Sequence, residues 1–295
     1  MTKALALTGV SAAVCLALFS GAAVSAQSAS QARTTASAPA APDAALTAAV
    51  NGDWRPAEHR ARDQWRHPAE SLAFWGLRPG ATVVEIDPGG EAWWTQILAP
   101  YARATNGRYI GVVSDPGTPE VEERAAASRQ RLATALSDPR YGQVTVARMT
   151  PTSIDVPAGS ADMVLVARSF HNWARSEGRT DAYMRNFFNA LKPGGVLAVE
   201  QHRLPAGQPE RPQTGYVSEQ YVIDAAQRAG FVLDGRSEIN ANPADDTDHP
   251  FGVWTLPPVR TSSAQGQPSP EGFDRAAYDR IGESDRMTLR FRKPA

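Results

Sequence analysis

From residue 54 onward, short apolar runs alternate with longer segments of helical period. Residues 82–86 (TVVEI), 108–113, QVTVARM, ADMVLVARSF, VLAVEQH, FVLDGRSEI and DRMTLRFRKP are rich in β-branched and other apolar residues and read as strands. ADMVLVARSF is almost continuously apolar, the mark of a strand buried on both faces. Between the runs lie helical segments with their own punctuation. HPAESLAFWGLRPG has Pro68 at the first helical position and stops at Arg78-Pro79-Gly80. EAWWTQILAPYA follows the first strand. TPEVEERAAASRQRLATALSD has Thr118 as N-cap, Pro119 behind it and glutamates in the first turn. GRTDAYMRNFFNALKPGG stops at Pro193-Gly194-Gly195, and SEQYVIDAAQRAG stops at Gly230. A polar, proline-containing loop runs from Asn240 to about Gln267, so the last two strands form an antiparallel hairpin at one edge. Strands alternating with helices predict an α/β fold with a doubly wound, mostly parallel sheet. No composition break divides residues 54–295, which read as one domain.

The N-terminal region changes the picture of where this domain works. Lys3 precedes a largely apolar run over residues 4–19, and Val24-Ser25-Ala26 forms a small-x-small site before Gln27. This predicts a cleaved secretory signal over residues 1–26, the alternative being a single membrane anchor. Residues 27–53, rich in Ala, Ser, Pro, Thr and Gln towards their start, read as a disordered linker. The expected location is periplasmic or secreted, with no membrane span in the mature chain. Cys15, the single cysteine, falls inside the signal. The mature chain is then expected to have no disulfide, thiolate nucleophile or cysteine-ligated metal. The net charge of −1 gives no basic excess and argues against nucleic acid as the main partner.

Candidate chemistry concentrates at the carboxyl ends of the strands. In VVEIDPGGEAWW, residues 83–94, Glu85 sits near the end of the first strand and Asp87-Pro88-Gly89-Gly90 forms a turn into the next helix. Such a turn lets a ligand approach the backbone, and a helix N-terminus adds unpaired N–H groups. A tight strand-to-helix turn with an acidic helix start is the alternative. After the fourth strand, ARSFHNW places His171 as a general base, or as a residue that lines a loop, with Phe170 and Trp173 beside it. His202, after the fifth strand, is a second imidazole candidate or else a surface histidine. The loop NPADDTDHPFGVWTLPPVR gathers Asp245, Asp246, Asp248 and His249. Their spacing fits no ion-binding loop, so no metal site is assigned; the loop reads as a solvated lid stiffened by Trp254, Pro257 and Pro258. Trp93, Ile97 and Tyr101 at helical spacing read as core. The turn lacks G-x-G-x-x-G and no G-x-S-x-G elbow occurs, which disfavours a dinucleotide oxidoreductase and an α/β hydrolase.

Three motifs taken together, strand-E-x-turn-G-G-helix, D-x-V-L-V-x-x-x-x-H-x-W from Asp162 to Trp173, and LKPGGVLAVE from Leu191, resemble the class I S-adenosylmethionine-dependent methyltransferases. RPGATVVEIDPGG, ILAPYA, HPFGVWTLPP and DRMTLRFRKP further resemble a secreted bacterial set of predicted methyltransferases, over residues 54–295. The resemblance implies a Rossmann-like sheet of seven strands with the seventh antiparallel between the fifth and sixth. It implies S-adenosylmethionine as cofactor and a small-molecule methyl acceptor. Glu85, Asp87, Gly89 and Gly90 would lie at the cofactor's methionine end, with Arg168 and Ser169 after the fourth strand completing the contacts. The family's ribose-binding acid would fall most simply at Val113, so Asp115 two residues on is the candidate, or else starts a turn before Pro116. Met149, Thr150 and Ser153 fall in the family's adenine loop. Only one of three family glycines is in register, and Glu91 stands at another of those positions. A methyltransferase fold that binds some other small molecule or a protein in the cell envelope, without catalysis, is therefore the alternative.

Overall fold

A computed structural model describes residues 43–115 and 118–295; the expected signal, residues 27–42 of the expected linker, and the Pro116 turn position lie outside the described residues. In chain order the helices are α1 Ala44–Val50, α2 Ala57–Arg60, α3 Asp63–Arg66, α4 Pro68–Trp75, α5 Thr95–Ala104, α6 Pro119–Ala135, α7 Phe170–Trp173, α8 Arg179–Ala190, α9 Glu219–Arg228 and α10 Arg275–Ile281. The strands are β1 Thr82–Ile86, β2 Arg108–Ser114, β3 Val144–Thr150, β4 Ser153–Ile154, β5 Ala161–Ala167, β6 Leu191–Leu204, β7 Val217–Ser218, β8 Val232–Ser237 and β9 Arg286–Arg292. No helix among the described residues is long and apolar enough to cross a membrane.

The sheet runs β4-β3-β2-β1-β5-β6-β9-β8. β3, β2, β1, β5 and β6 pair in parallel, and β9 is antiparallel to both neighbours. Leaving aside the two-residue strands β4 and β7, this is the seven-stranded order of the Rossmann-like methyltransferase fold, its last strand antiparallel and inserted beside the fifth. The extra pieces have local causes. β4 folds back on the end of β3 through Thr150↔Ser153, and β7 pairs with the far end of the long strand β6.

Period-2 alternation divides each strand between two cores. Val84 and Ile86 face the layer of α8 and α9, with Phe187, Val222 and Ile223; Val83 faces the layer of α4 and α5, with Trp75, Ile97 and Leu98. Glu85 shares the face of Val83, which decides its role below.

Three boundaries differ from expectation. The fold already includes residues 43–53, ahead of the expected start at Trp54: the side chain of Asp43 caps α1 by accepting from the Leu46 amide at 2.8 Å and accepts from the Tyr101 hydroxyl at 2.7 Å. Leu46 and Ala49 are buried, so the end of the expected linker is part of the fold. α5 starts at Thr95, not at Glu91, because Ala92 adopts φ 46° and breaks the first turn, while Trp93 and Trp94 are anchored by indole N–H bonds to the His59 carbonyl and the Glu200 carboxylate. α10 arises in a polar stretch without helical periodicity, capped by Asp274 accepting from the Ala276 amide.

Candidate functional site

The order of the sheet reverses between β1 and β5, the switch point at which open α/β sheets bind ligands beyond their strand ends. A cavity of about 420 Å³ lies there. The turn after β1 forms one side. Asp87 has φ 49°; its amide donates to the Val112 carbonyl, and its carboxylate accepts from the Ser114 amide at 2.7 Å and hydroxyl at 2.8 Å. Burial pushes the Asp87 carboxyl up despite those bonds. Gly89 takes φ 73°, and a Cβ on Gly89 or Gly90 would meet nothing within 4 Å, so both leave the turn open to a ligand. Glu91 turns outward to Arg62 at 2.6 Å. A second cavity, of about 390 Å³, shares this turn and is walled by Val113, Leu132 and Ala135 towards β2 and α6.

The end of β5 forms the next side. Arg168 adopts φ 60°, its amide donating to the Glu200 carbonyl, and it lines the cavity with Ser169 and His171. Burial lowers the Arg168 guanidinium's pKa. His171 is pushed down to about 4, first by burial and then by the charge of Arg175. His202, on β6, donates to or accepts from the Ser284 hydroxyl at 2.6 Å and is driven well below the usual histidine range by burial and Arg286. Both imidazoles are neutral at neutral pH. Their rings lie 5.9 Å apart, and the Trp254 ring lies 5.8 Å from His171.

The loop after β8 closes the cavity with Trp254, Pro257 and Pro258, as its length suggested, but it is not a solvated lid. Asp245 is buried and accepts from the Tyr216 hydroxyl, the Thr247 and Asp285 amides and His249 Nε2 at 2.8–3.1 Å. Asp245, Asp246 and His249 have ligand atoms within 4.8 Å of one another, yet these bonds account for the carboxylate of Asp245. Asp248 is exposed.

Asp87, Gly89, Gly90, Arg168, Ser169 and His171 thus converge on the cavity; Glu85, Asp115 and Thr150 do not. Glu85 points under α5, where Thr95 and Tyr109 hydroxyls donate to it at 2.8 and 2.7 Å and burial pushes its carboxyl up to about 7. The buried Asp115 carboxylate is paired with Arg148 at 2.8 Å. The Thr150 hydroxyl is spent in the β3–β4 turn with Ser153 at 2.9 Å. Met149, Phe170 and Trp173 are core residues rather than ligand contacts.

A buried charge cluster behind the cavity was not anticipated. Glu283 accepts from Arg62 Nε at 2.6 Å and Arg66 Nε at 2.8 Å and pairs with Arg286, which also approaches Glu200 at 3.3 Å. One signal was present in the chain: Glu200, Gln201 and His202 continue an apolar central strand without a break, and all three are buried.

No family model and no curated protein matches the chain. Solved structures do. An S-adenosylmethionine-dependent methyltransferase from Aquifex aeolicus is 18% identical with a TM-score of 0.43, over 61% of this chain and 87% of that one. An S-adenosylmethionine-dependent methyltransferase from Mesorhizobium loti is 14% identical with a TM-score of 0.42, over 78% and 97%. The [4+2]-cyclase SpnF is 18% identical with a TM-score of 0.46, over 78% and 80%. At these identities the likeness is one of fold and transfers no residue's role.

Proposed function

We propose that this chain is an S-adenosylmethionine-dependent methyltransferase acting on a small molecule, exported through its N-terminal segment. The observation that carries the reading is the Asp87–Gly90 turn, which opens onto a cavity at the β1–β5 switch point of a sheet with the methyltransferase strand order. The donor set fits the amino-acid end of the cofactor: Asp87 offers a carboxylate to an ammonium, and Gly89 and Gly90 leave the backbone approachable. Val113 and the cavity beside it would face the nucleoside end, a wall of apolar character without the family's carboxylate.

When bound, the cofactor supplies an electrophilic methyl carbon; displacement at that carbon is in line and depends on positioning more than on acid–base help. The chain's contribution is accordingly orientation and exclusion of water. Trp254, Pro257 and Pro258 cover the site, and Ser169 and His171 flank the end of β5. His171, being neutral, is able to take a proton from an acceptor group, and its low basicity suits an acceptor that is itself acidic.

A calorimetric titration of S-adenosylmethionine tests this. Micromolar binding that is lost in Gly89→Asp is expected, because the substitution puts a carboxylate in the cradle at a position where an added Cβ meets nothing within 4 Å. No heat at millimolar cofactor would sink the reading. The second reading, a ligand-binding protein without methyl transfer, is favoured by one observation: Glu85 and Asp115 both turn their carboxylates to protein partners. Export is supported by Lys3, the apolar run and Val24-Ser25-Ala26; N-terminal sequencing of protein from the envelope fraction is expected to begin at Gln27.

A further inference from the structure

The cavity lining gathers three guanidinium groups, those of Arg62, Arg168 and Arg286. Arg168 enters it on a left-handed backbone. Among the described residues its side chain makes no hydrogen bond and no close ion pair, and its Nε is buried. Arg62 and Arg286 line the same wall. Both are tied to Glu283, yet Arg62 Nη2 and Arg286 Nε are also buried without a protein acceptor. Neither acid on the lining pairs with Arg168: Asp87 accepts from Ser114, and Glu91 pairs with Arg62. Arg168 is partly exposed in the cavity wall, its guanidinium free of hydrogen bonds to protein, so an oxyanion can take its fork. The lining also includes Val253, Trp254, Pro257 and Pro258, an apolar portion suited to a flat hydrophobic body.

We propose that the cavity binds a small apolar molecule carrying an oxyanion, a carboxylate or a phosphate ester, with the oxyanion on Arg168 and the body against Trp254 and the two prolines. The naming of this molecule as the methyl acceptor rests on the function proposed above; the anion site itself does not.

Benzoate, phenyl phosphate and the neutral isostere benzamide are the probes, titrated into the protein and followed by the fluorescence of Trp93 and Trp254, both on the lining. Benzoate or phenyl phosphate is expected to saturate the signal, with benzamide at least about tenfold weaker, the scale of a charge-assisted hydrogen bond. Arg168→Gln is expected to remove that preference and Arg168→Lys to keep part of it. Equal binding of benzoate and benzamide, or unchanged anion binding in Arg168→Gln, would overturn the proposal. Repeating the titration with S-adenosylhomocysteine separates the two readings. Anion binding without any cofactor binding upholds the anion site and removes methyl transfer. Competition between the two, lost in Arg168→Gln, gives Arg168 to the cofactor's own carboxylate and overturns the inference.

Discussion

Glu283 accepts from Arg62 at 2.6 Å across 221 residues of chain, joining the loop before β9 to the helical segment before the sheet. The same carboxylate binds Arg66 and Arg286, all nearly inaccessible. Burial pushes the Glu283 carboxyl up, but Arg286 and Arg62 outweigh it and hold the group below its ordinary value. Glu283→Gln would take the shared carboxylate from three guanidinium groups, leaving Arg66 without an ion pair and Arg62 and Arg286 with only Glu91 and Glu200. The expected loss is about 3–5 kcal/mol, the cost of breaking a buried ion pair from one side. Urea unfolding checks it, with Asp279→Asn at the exposed Arg260 pair as comparison, expected to cost under about 1 kcal/mol.

Glu85 gives the fold a pH dependence of opposite sign to an ordinary surface carboxylate. Its folded pKa of about 7 lies above the ordinary value of 4.5, so the native state holds the proton more tightly than the unfolded chain. Its contribution is therefore fully present below pH 4.5 and is lost as pH rises through 7. Glu85→Gln mimics the protonated form and is expected to flatten the fall in stability over that window, by at most about 3 kcal/mol. Chemical denaturation of both proteins at several pH values reads the difference in slope; parallel curves would show that Glu85 titrates normally.

His171 is expected to stay neutral from pH 8 to pH 5. Its folded pKa near 4 lies below the usual 6.5 because of burial and Arg175, so its contribution is complete above 6.5 and is lost as pH falls through 4. The imidazole C–H resonances of His171, assigned with His171→Gln, should show no inflection between pH 6 and 7. An inflection there would mean that the cavity is far wetter than its burial implies.

Much of this was legible in the chain, and the failures share a cause. The strands and helices, the β1 turn, His171 and a covering loop with Trp254 follow from local periodicity and residue chemistry, while the strand order and the place of Arg168 and Ser169 followed from the family resemblance. Glu85 was misplaced because a motif counts residues while a strand alternates faces: one position decides whether a carboxylate meets the cavity or the underside of α5. Asp115 and Thr150 were lost to partners, Arg148 and Ser153, that motif position cannot weigh. Arg62, Glu283 and Arg286 come from segments more than 200 residues apart, joined only by the packing of α2 and α3 against the loop before β9, and no local pattern announces such a cluster.

The covering loop depends on one close backbone approach. Gly252 has φ 56°, and a Cβ there would lie 2.3 Å from the Thr214 carbonyl oxygen and 2.7 Å from its Cα, neither of which can yield as a side chain would. Gly252→Ala must therefore push the segment that carries Val253 and Trp254 away from residues 212–214, at a cost of about 1–3 kcal/mol by the measure of an overpacked site. Gly266→Ala, later in the same excursion, is the proper comparison: it too has positive φ, at 75°, but its added methyl meets nothing within 4 Å. That variant should lose only the cost of a left-handed non-glycine residue, about 1–2 kcal/mol, and should leave ligand affinity unchanged. Gly252→Ala should weaken binding in the cavity as well, since Trp254 forms part of its wall. Equal stability losses with equal, undiminished affinity would mean that the loop's seat on Thr214 does not set the position of Trp254.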